Sequence, residues 1–284
     1  MDASTLMAFL SWGVFVGVVF SAIGAAGGIL TSFGLITVFG ILDPNSVKPM
    51  TQIVVLATTL VLVPGYLQRS ALILPLGLLM GSGGLIGGYV GSTLSSRYLS
   101  DMQTFRPLFG VLTLVVASQI IWGLFRQRRS CASGSKLEEE QCGGGVSRTS
   151  VTFRALTFHY GEKDYYVPVW SPIIAGMAIA TTASIFGVGG GFLLVPYLTL
   201  VLAIPMHIVP ATAAVAIFMS LIVSISNFLA LGPPLHLNTL VPLTVGAIVG
   251  AIVGPKINRV SKNHWLQFAV AVIVTVIGLK YTLL

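Results

Sequence analysis

The sequence predicts an all-α, polytopic membrane protein built from two inverted repeats. Each repeat is a glycine-broken hairpin or discontinuous helix followed by three transmembrane helices. Three observations lead there. The 284 residues are 55% hydrophobic and 8% charged, whereas soluble domains carry roughly 25% charged residues. Apolar stretches near 50–68, 71–95, 105–125, 208–231, 237–257 and 264–284 are long enough to cross a bilayer, which takes roughly 20 residues. A third observation links the halves: Ser21-Ala-Ile-Gly24-Ala-Ala-Gly27-Gly28-Ile-Leu30 returns 163 residues later as Ser184-Ile-Phe-Gly187-Val-Gly189-Gly190-Gly191-Phe-Leu193.

Both glycine segments interrupt apolar runs, at about 6–41 and 168–204. As one helix, either run would reach roughly 54 Å at about 1.5 Å per residue, against a hydrocarbon core of about 30 Å. Each run must therefore fold back, and the glycines mark the place. A helix broken inside lipid leaves backbone groups unpaired, which is tolerable only where protein, water or substrate meets them. Paired breaks at matching positions are the sequence signature of a transporter's midplane site.

The chain divides into an N-terminal membrane repeat over 1–125, a polar linker over 126–167 and a C-terminal membrane repeat over 168–284. The opening Met1-Asp2-Ala3-Ser4-Thr5 lacks the basic region of a signal peptide and reads as the start of a first membrane segment. Trp12, Trp122, Trp170 and Trp265 fall near expected span ends and read as interfacial anchors. The linker carries seven basic residues, the acidic run Glu138-Glu139-Glu140 and Gly143-Gly144-Gly145, which together suggest a flexible connection. Cys131 and Cys142 lie in it without the His and Cys spacing of a metal site. If each broken run is a hairpin, eleven of the 15 Lys and Arg fall on the linker's side: Arg69, the linker's seven, Lys256, Arg259 and Lys262. Lys48, Arg97, Arg106 and Lys280 fall on the other. The positive-inside rule then puts the linker in the cytoplasm and both termini outside the cell membrane.

The repeat extends past the glycines. Pro49-Met50-Thr51 matches Pro210-Ala211-Thr212, and Gly83-x-x-x-Gly87 matches Gly250-x-x-x-Gly254, a spacing that suits close helix packing in lipid. Polar stripes follow each break: Thr51, Gln52, Thr58 and Thr59 share one helix face, as do Thr212, Ser220, Ser224 and Asn227. Gln52 and Asn227 are the most expensive of these to bury and the best placed to line a polar path.

These features resemble the sulfite exporter TauE/SafE family of membrane permeases. The closest motif is Ser184-Ile-Phe-Gly187-Val-Gly189-Gly190-Gly191-Phe-Leu-Leu-Val-Pro196, similar to that family's glycine-rich first span. Pro210-Ala211-Thr212-Ala213 is similar to its following Pro-x-Ala-x-x-Thr-Ser-type step, with Ala213 where Ser is usual. The N-terminal copy departs further, with Ala25-Ala26 among its glycines and Gln52 after Thr51. The resemblance implies transport of sulfite, sulfoacetate or other small organic anions, with protons as a candidate coupling ion.

The residues agree with an anion. All eight acidic side chains lie outside the expected spans or at their ends, so no carboxylate stands mid-membrane for a cation. A half-helix N-terminus offers free N–H donors and partial positive charge, and glycine lets a substrate reach that backbone. The expected substrate-binding set is Gly24, Gly27, Gly28, Thr51 and Gln52 in the first half, with Gly187, Gly189, Gly190, Gly191, Thr212 and Asn227 in the second. Leu at Gly28 or Gly190 is expected to block anion approach and leave the protein folded. His207 is a candidate for titration during transport. Partners are the bilayer and a small anion, with no nucleic acid, no cofactor and no metal expected, and no oligomeric state specified.

An enzyme is not expected. Met80-Gly81-Ser82-Gly83 faintly resembles a membrane serine protease motif, yet no mid-span base accompanies it. A passive anion channel and a non-transporting membrane assembly subunit stay open at this level.

Overall fold

The computed structural model describes residues 3–23, 26–67, 72–132, 147–151, 155–160, 163–202, 204, 209–260 and 263–283. Helix α1 (Ala3–Ile23) leads to a break, after which α2 (Gly27–Phe33) continues as a π-helical turn, Gly34–Val38. Helices α3 (Pro44–Leu67), α4 (Leu74–Tyr98) and α5 (Met102–Ala132) complete the first half. The second half has the same order: α6 (Trp170–Phe186), α7 (Gly191–Pro196) with its π-helical turn Tyr197–Val201, then α8 (Val209–Ala230), α9 (Leu237–Val260) and α10 (Asn263–Leu283). The two π turns stand 163 residues apart, the offset of the glycine segments. Among the described residues, five stretches are long and apolar enough to cross a membrane: Ala3–Ser21, Leu74–Tyr98, Met102–Gly123, Ala211–Ala230 and Leu237–Gly254.

Each broken run is a hairpin. In the first, the Trp12 indole donates to the Leu30 carbonyl at 3.3 Å and the Phe9 ring packs tilted against Phe39, centroids 4.4 Å apart. Residue numbers thus rise on one limb as they fall on the other. The second closes through the hydroxyls of Ser171 and Tyr197, 2.9 Å apart. Trp12 therefore stands mid-helix against Phe15, Phe33 and Phe39, packing one limb on the other instead of anchoring at an interface. Trp122 and Trp170 are exposed, as anchors would be; the Trp265 side chain lies outside the described residues.

The halves interleave. The most extensive helix pairings are α1 with α9 and α4 with α6, so each half's first helix packs on the other half's fourth. Glycines make this approach possible. A methyl at Gly246 or Gly250 would strike the carbonyls of Leu10 or Val14 on α1, and one at Gly83, Gly87 or Gly91 those of Ile173, Met177 or Thr181 on α6. The small-residue spacing read from sequence is thus a pair of helix seams.

The polar stretch between the halves holds more regular structure than its composition suggests. Strands β1 (Ser147–Val151), β2 (Ala155–Tyr160) and β3 (Lys163–Pro168) form an antiparallel meander. Leu156 and Val167 are buried from it among Ile73, Leu76, Leu198, Ile204 and Val209, where α4 and α8 begin and the second hairpin ends. Gly143-Gly144-Gly145 and Cys142 lie outside the described residues, and Cys131 falls in the last turn of α5.

Candidate functional site

The two hairpin tips meet. A methyl at Gly28 would collide with the Val188 carbonyl, so the opening turn of α2 rests on the backbone of the second break. That break takes its shape from two left-handed residues, Gly187 (φ +71°) and Gly189 (φ +77°), positions a side chain would strain. Gly190 and Gly191 then open α7. Gly27 and Gly28 are buried, and Gly24 lies outside the described residues.

Helix α3 runs alongside both tips. Lys48, Gln52 and Val55 recur at helical spacing along one stripe of it. A methyl at Gly187 would meet the Lys48 stem, and one at Gly189 would meet Val55 at 2.8 Å. Gln52 stands between those two contacts and therefore faces the second break. It is fully buried, and neither its amide nitrogen nor its amide oxygen has a hydrogen-bond partner. Thr51 turns toward the first hairpin, its hydroxyl 3.1 Å from that of Ser32. The sequence stripe also contains Thr58 and Thr59, which bond back to carbonyls of α3 itself.

The matching stripe on α8 is divided among structural contacts. Thr212 accepts from the Ile73 N–H at 3.2 Å. Asn227 donates to the Ser92 and Thr93 hydroxyls of α4 at 2.8 and 2.9 Å, fastening two helices together. Ser220 bonds the Ile217 carbonyl. Ser224, fully buried, has no partner for its hydroxyl. The structure thus gathers Gly28, Gln52, Gly187 and Gly189 at one junction with Thr51 beside them, and sets Asn227 in a helix seam.

Gly190 faces elsewhere, into a small gap of about 10 Å³ among Met80, Ile179, Leu194, Ala216 and Ser220. A methyl at Gly190 would make ordinary contacts of 3.5 to 3.7 Å with Ile179, Ala183 and Leu194. Leu at the two glycines is therefore not equivalent: Gly190 has room for added carbon, whereas Gly28 abuts backbone that cannot swing aside.

One residue of the site was misplaced from sequence. Lys48, read from sequence only as one of the charges on the side opposite the linker, is fully buried in α3 beside Gly187. Its ammonium donates to the Leu99 carbonyl at 2.7 Å, the Ser95 carbonyl at 3.3 Å and Asn45 Oδ1 at 3.5 Å, and lies 5.1 Å from the centre of the Phe105 ring. Three donors meet three acceptors, two of them carbonyls at the C-terminal end of α4, where a cation is favoured. The signal that would have found it is Asp43-Pro44. Asp43 accepts from the N–H groups of Asn45 and Ser46, both at 3.1 Å, and Pro opens the helix. That start places Lys48 a full turn inside α3.

His236 is exposed; His207 and the His264 side chain lie outside the described residues. Among the described residues no group of His, Cys, Asp or Glu comes together that could hold a metal ion.

The family model for the sulfite exporter TauE/SafE matches residues 9–281. The chain belongs to that family. It is also similar to the probable membrane transporter protein YunE of Bacillus subtilis (strain 168), at 24% identity over 278 residues that cover 94% of this chain and 93% of that protein. No solved structure matches it. Membership in the TauE/SafE family runs through both hairpins, all six long helices that follow them and the polar stretch between the halves.

Proposed function

We propose that this TauE/SafE family member is a secondary transporter of small sulfur oxyanions or short organosulfonates, working by alternating access around the junction of the two hairpin tips. Its family makes it a multi-pass membrane transporter; the substrate class and mechanism are inferences from the site. The observation that carries them is the meeting of two glycine-broken hairpins, Gly28 on Val188, beside the unpartnered amide of Gln52. Backbone N–H groups and neutral side chains bind an oxyanion without a competing carboxylate. The family's name supplies the sulfur.

Inverted orientation of the halves is part of the same reading. It is supported by α5 and α10, which hold equivalent places in the two halves. Gly110 on α5 faces Tyr281 and Thr282, while Gly278 on α10 faces Thr113 and Leu114, so the two run antiparallel. Impermeant thiol labelling in sealed cells is expected to find single cysteines at 140 and at 284 on opposite sides of the membrane. Labelling from the same side would rule out the inverted arrangement.

Transport is tested by counterflow in proteoliposomes loaded with sulfite, thiosulfate, sulfoacetate or short carboxylates. Transient uphill accumulation of labelled sulfur anions is expected, a behaviour that a passive channel does not produce. Accumulation of carboxylates alone would move the substrate class, and no accumulation of any anion would overturn the reading.

A further inference from the structure

We propose that Gln52 is the specificity-determining residue of this junction, and that it selects an oxyanion carrying one proton, with an X–OH beside an X–O⁻. The inference rests on the anion-transport reading above and deepens it. A buried amide left without partners is destabilising on both its donor and its acceptor side. Gln52 is in that condition on both atoms, at full burial, on the face of α3 that meets the second break. The ligand that satisfies it must present an acceptor to the NH₂ and a donor to the C=O. A fully deprotonated oxyanion, or a sulfonate, has acceptors only and would set its oxygen against the amide oxygen. A singly protonated oxyanion supplies both groups within one small head.

Charge points the same way. One cation, Lys48, lies a single turn from Gln52 with its donors already taken by Asn45, Ser95 and Leu99. It can favour one negative charge through the field but cannot grip a second by contact. Other ionisable groups near that turn are Asp43, which caps α3, and Arg106 on α5, the neighbour in sequence of the Phe105 ring that lies under the Lys48 ammonium. Helices α1, α2, α7 and α8 have no ionisable side chain in their sequences, and α9 has Lys256 and Arg259 in its last turns. Nothing else in these neighbours would change the balance between a singly and a doubly charged ligand.

The test uses purified full-length protein, with sulfite and methanesulfonate as probes. Sulfite exchanges between singly protonated and doubly charged forms around neutral pH, while methanesulfonate keeps one charge and no proton. Binding is read by thermal shift and by counterflow. Wild-type protein is expected to bind sulfite at least tenfold more tightly than methanesulfonate at mildly acidic pH, with the ratio falling as sulfite loses its proton. Gln52→Met, close in shape and without hydrogen-bonding groups, is expected to abolish that ratio. Its ligand-free melting temperature should equal or exceed the wild type's, because an orphaned amide has been removed; a merely structural glutamine would lower it. Equal binding of the two anions by wild-type protein at every pH, or a ratio unchanged in Gln52→Met, overturns the role of Gln52 and leaves transport standing. Failure of wild-type protein to bind or move any anion removes the transport reading, and this inference with it.

Discussion

Gly28→Leu is expected to abolish transport and to destabilise the protein by about 3 kcal/mol or more, at the upper end of what overpacking a close-packed site does. Even one methyl at this position would drive into the Val188 carbonyl. Backbone does not rotate away as a side-chain end would, so the tips must part and the junction beside Gln52 opens. Gly190→Ala is the control. Its added methyl meets Ile179, Ala183 and Leu194 at ordinary distances in a backbone region that alanine accepts (φ −58°). A stability change within about 0.5 kcal/mol is expected. Chemical denaturation of both variants in detergent, alongside counterflow, checks the contrast. Equal stability of Gly28→Leu and wild type would mean that the tips do not bear on each other.

Lys48→Ala is expected to destabilise by about 1 to 3 kcal/mol, the range for leaving a buried polar group without its partner. The substitution empties the space over Phe105 and removes the lysine donor from the Leu99 carbonyl and Asn45 Oδ1, while the Ser95 carbonyl keeps the Leu99 N–H. Lys48→Met keeps most of the volume and should lose less. Because the ammonium's donors are taken by Asn45 and by the end of α4, Lys48→Met should weaken anion binding only through the lost field and should not abolish it. A loss of binding with stability intact would assign the lysine to the substrate instead. Melting curves with and without sulfite separate the two outcomes.

How far the sequence could be read follows from what each signal depends on. The breaks were legible because a run of some 36 residues cannot cross about 30 Å of hydrocarbon as one helix. Gly27-Gly28 and Gly187 to Gly191 were the places where a chain could turn. Gln52 stood out because a long amide inside an apolar helix needs a reason to be there, and its amide is buried without a partner. Asn227 carried the same signal and has a different reason: its partners Ser92 and Thr93 lie some 135 residues away in sequence, and no helical periodicity reveals a contact between helices. Lys48 was missed because Asp43-Pro44-Asn45 reads as a loop until the Asp-Pro pair is taken as a helix start. The meander was hidden by charge. Its strands show alternation in Ala155-Leu-Thr-Phe-His-Tyr160 and Lys163-Asp-Tyr-Tyr-Val167, but the basic and glycine-rich residues around them dominate the composition.

The exchange of first and fourth helices between halves has a consequence for biosynthesis. Helix α1 leaves the ribosome with its glycine seam matched to α9, whose contacting residues, such as Gly246 against Leu10, are made 236 positions later. At about 5–20 residues per second, that is a delay of roughly 10 to 45 seconds. Throughout it, the seam of α1 has only lipid, or the machinery that inserts the chain, to lie against. The first half cannot complete its packing while it is alone, since its own α4 awaits α6 in the same way. Final assembly therefore waits for the end of translation, and a ribosome stalled after α5 would hold a half whose two glycine-matched surfaces are both still open to the membrane.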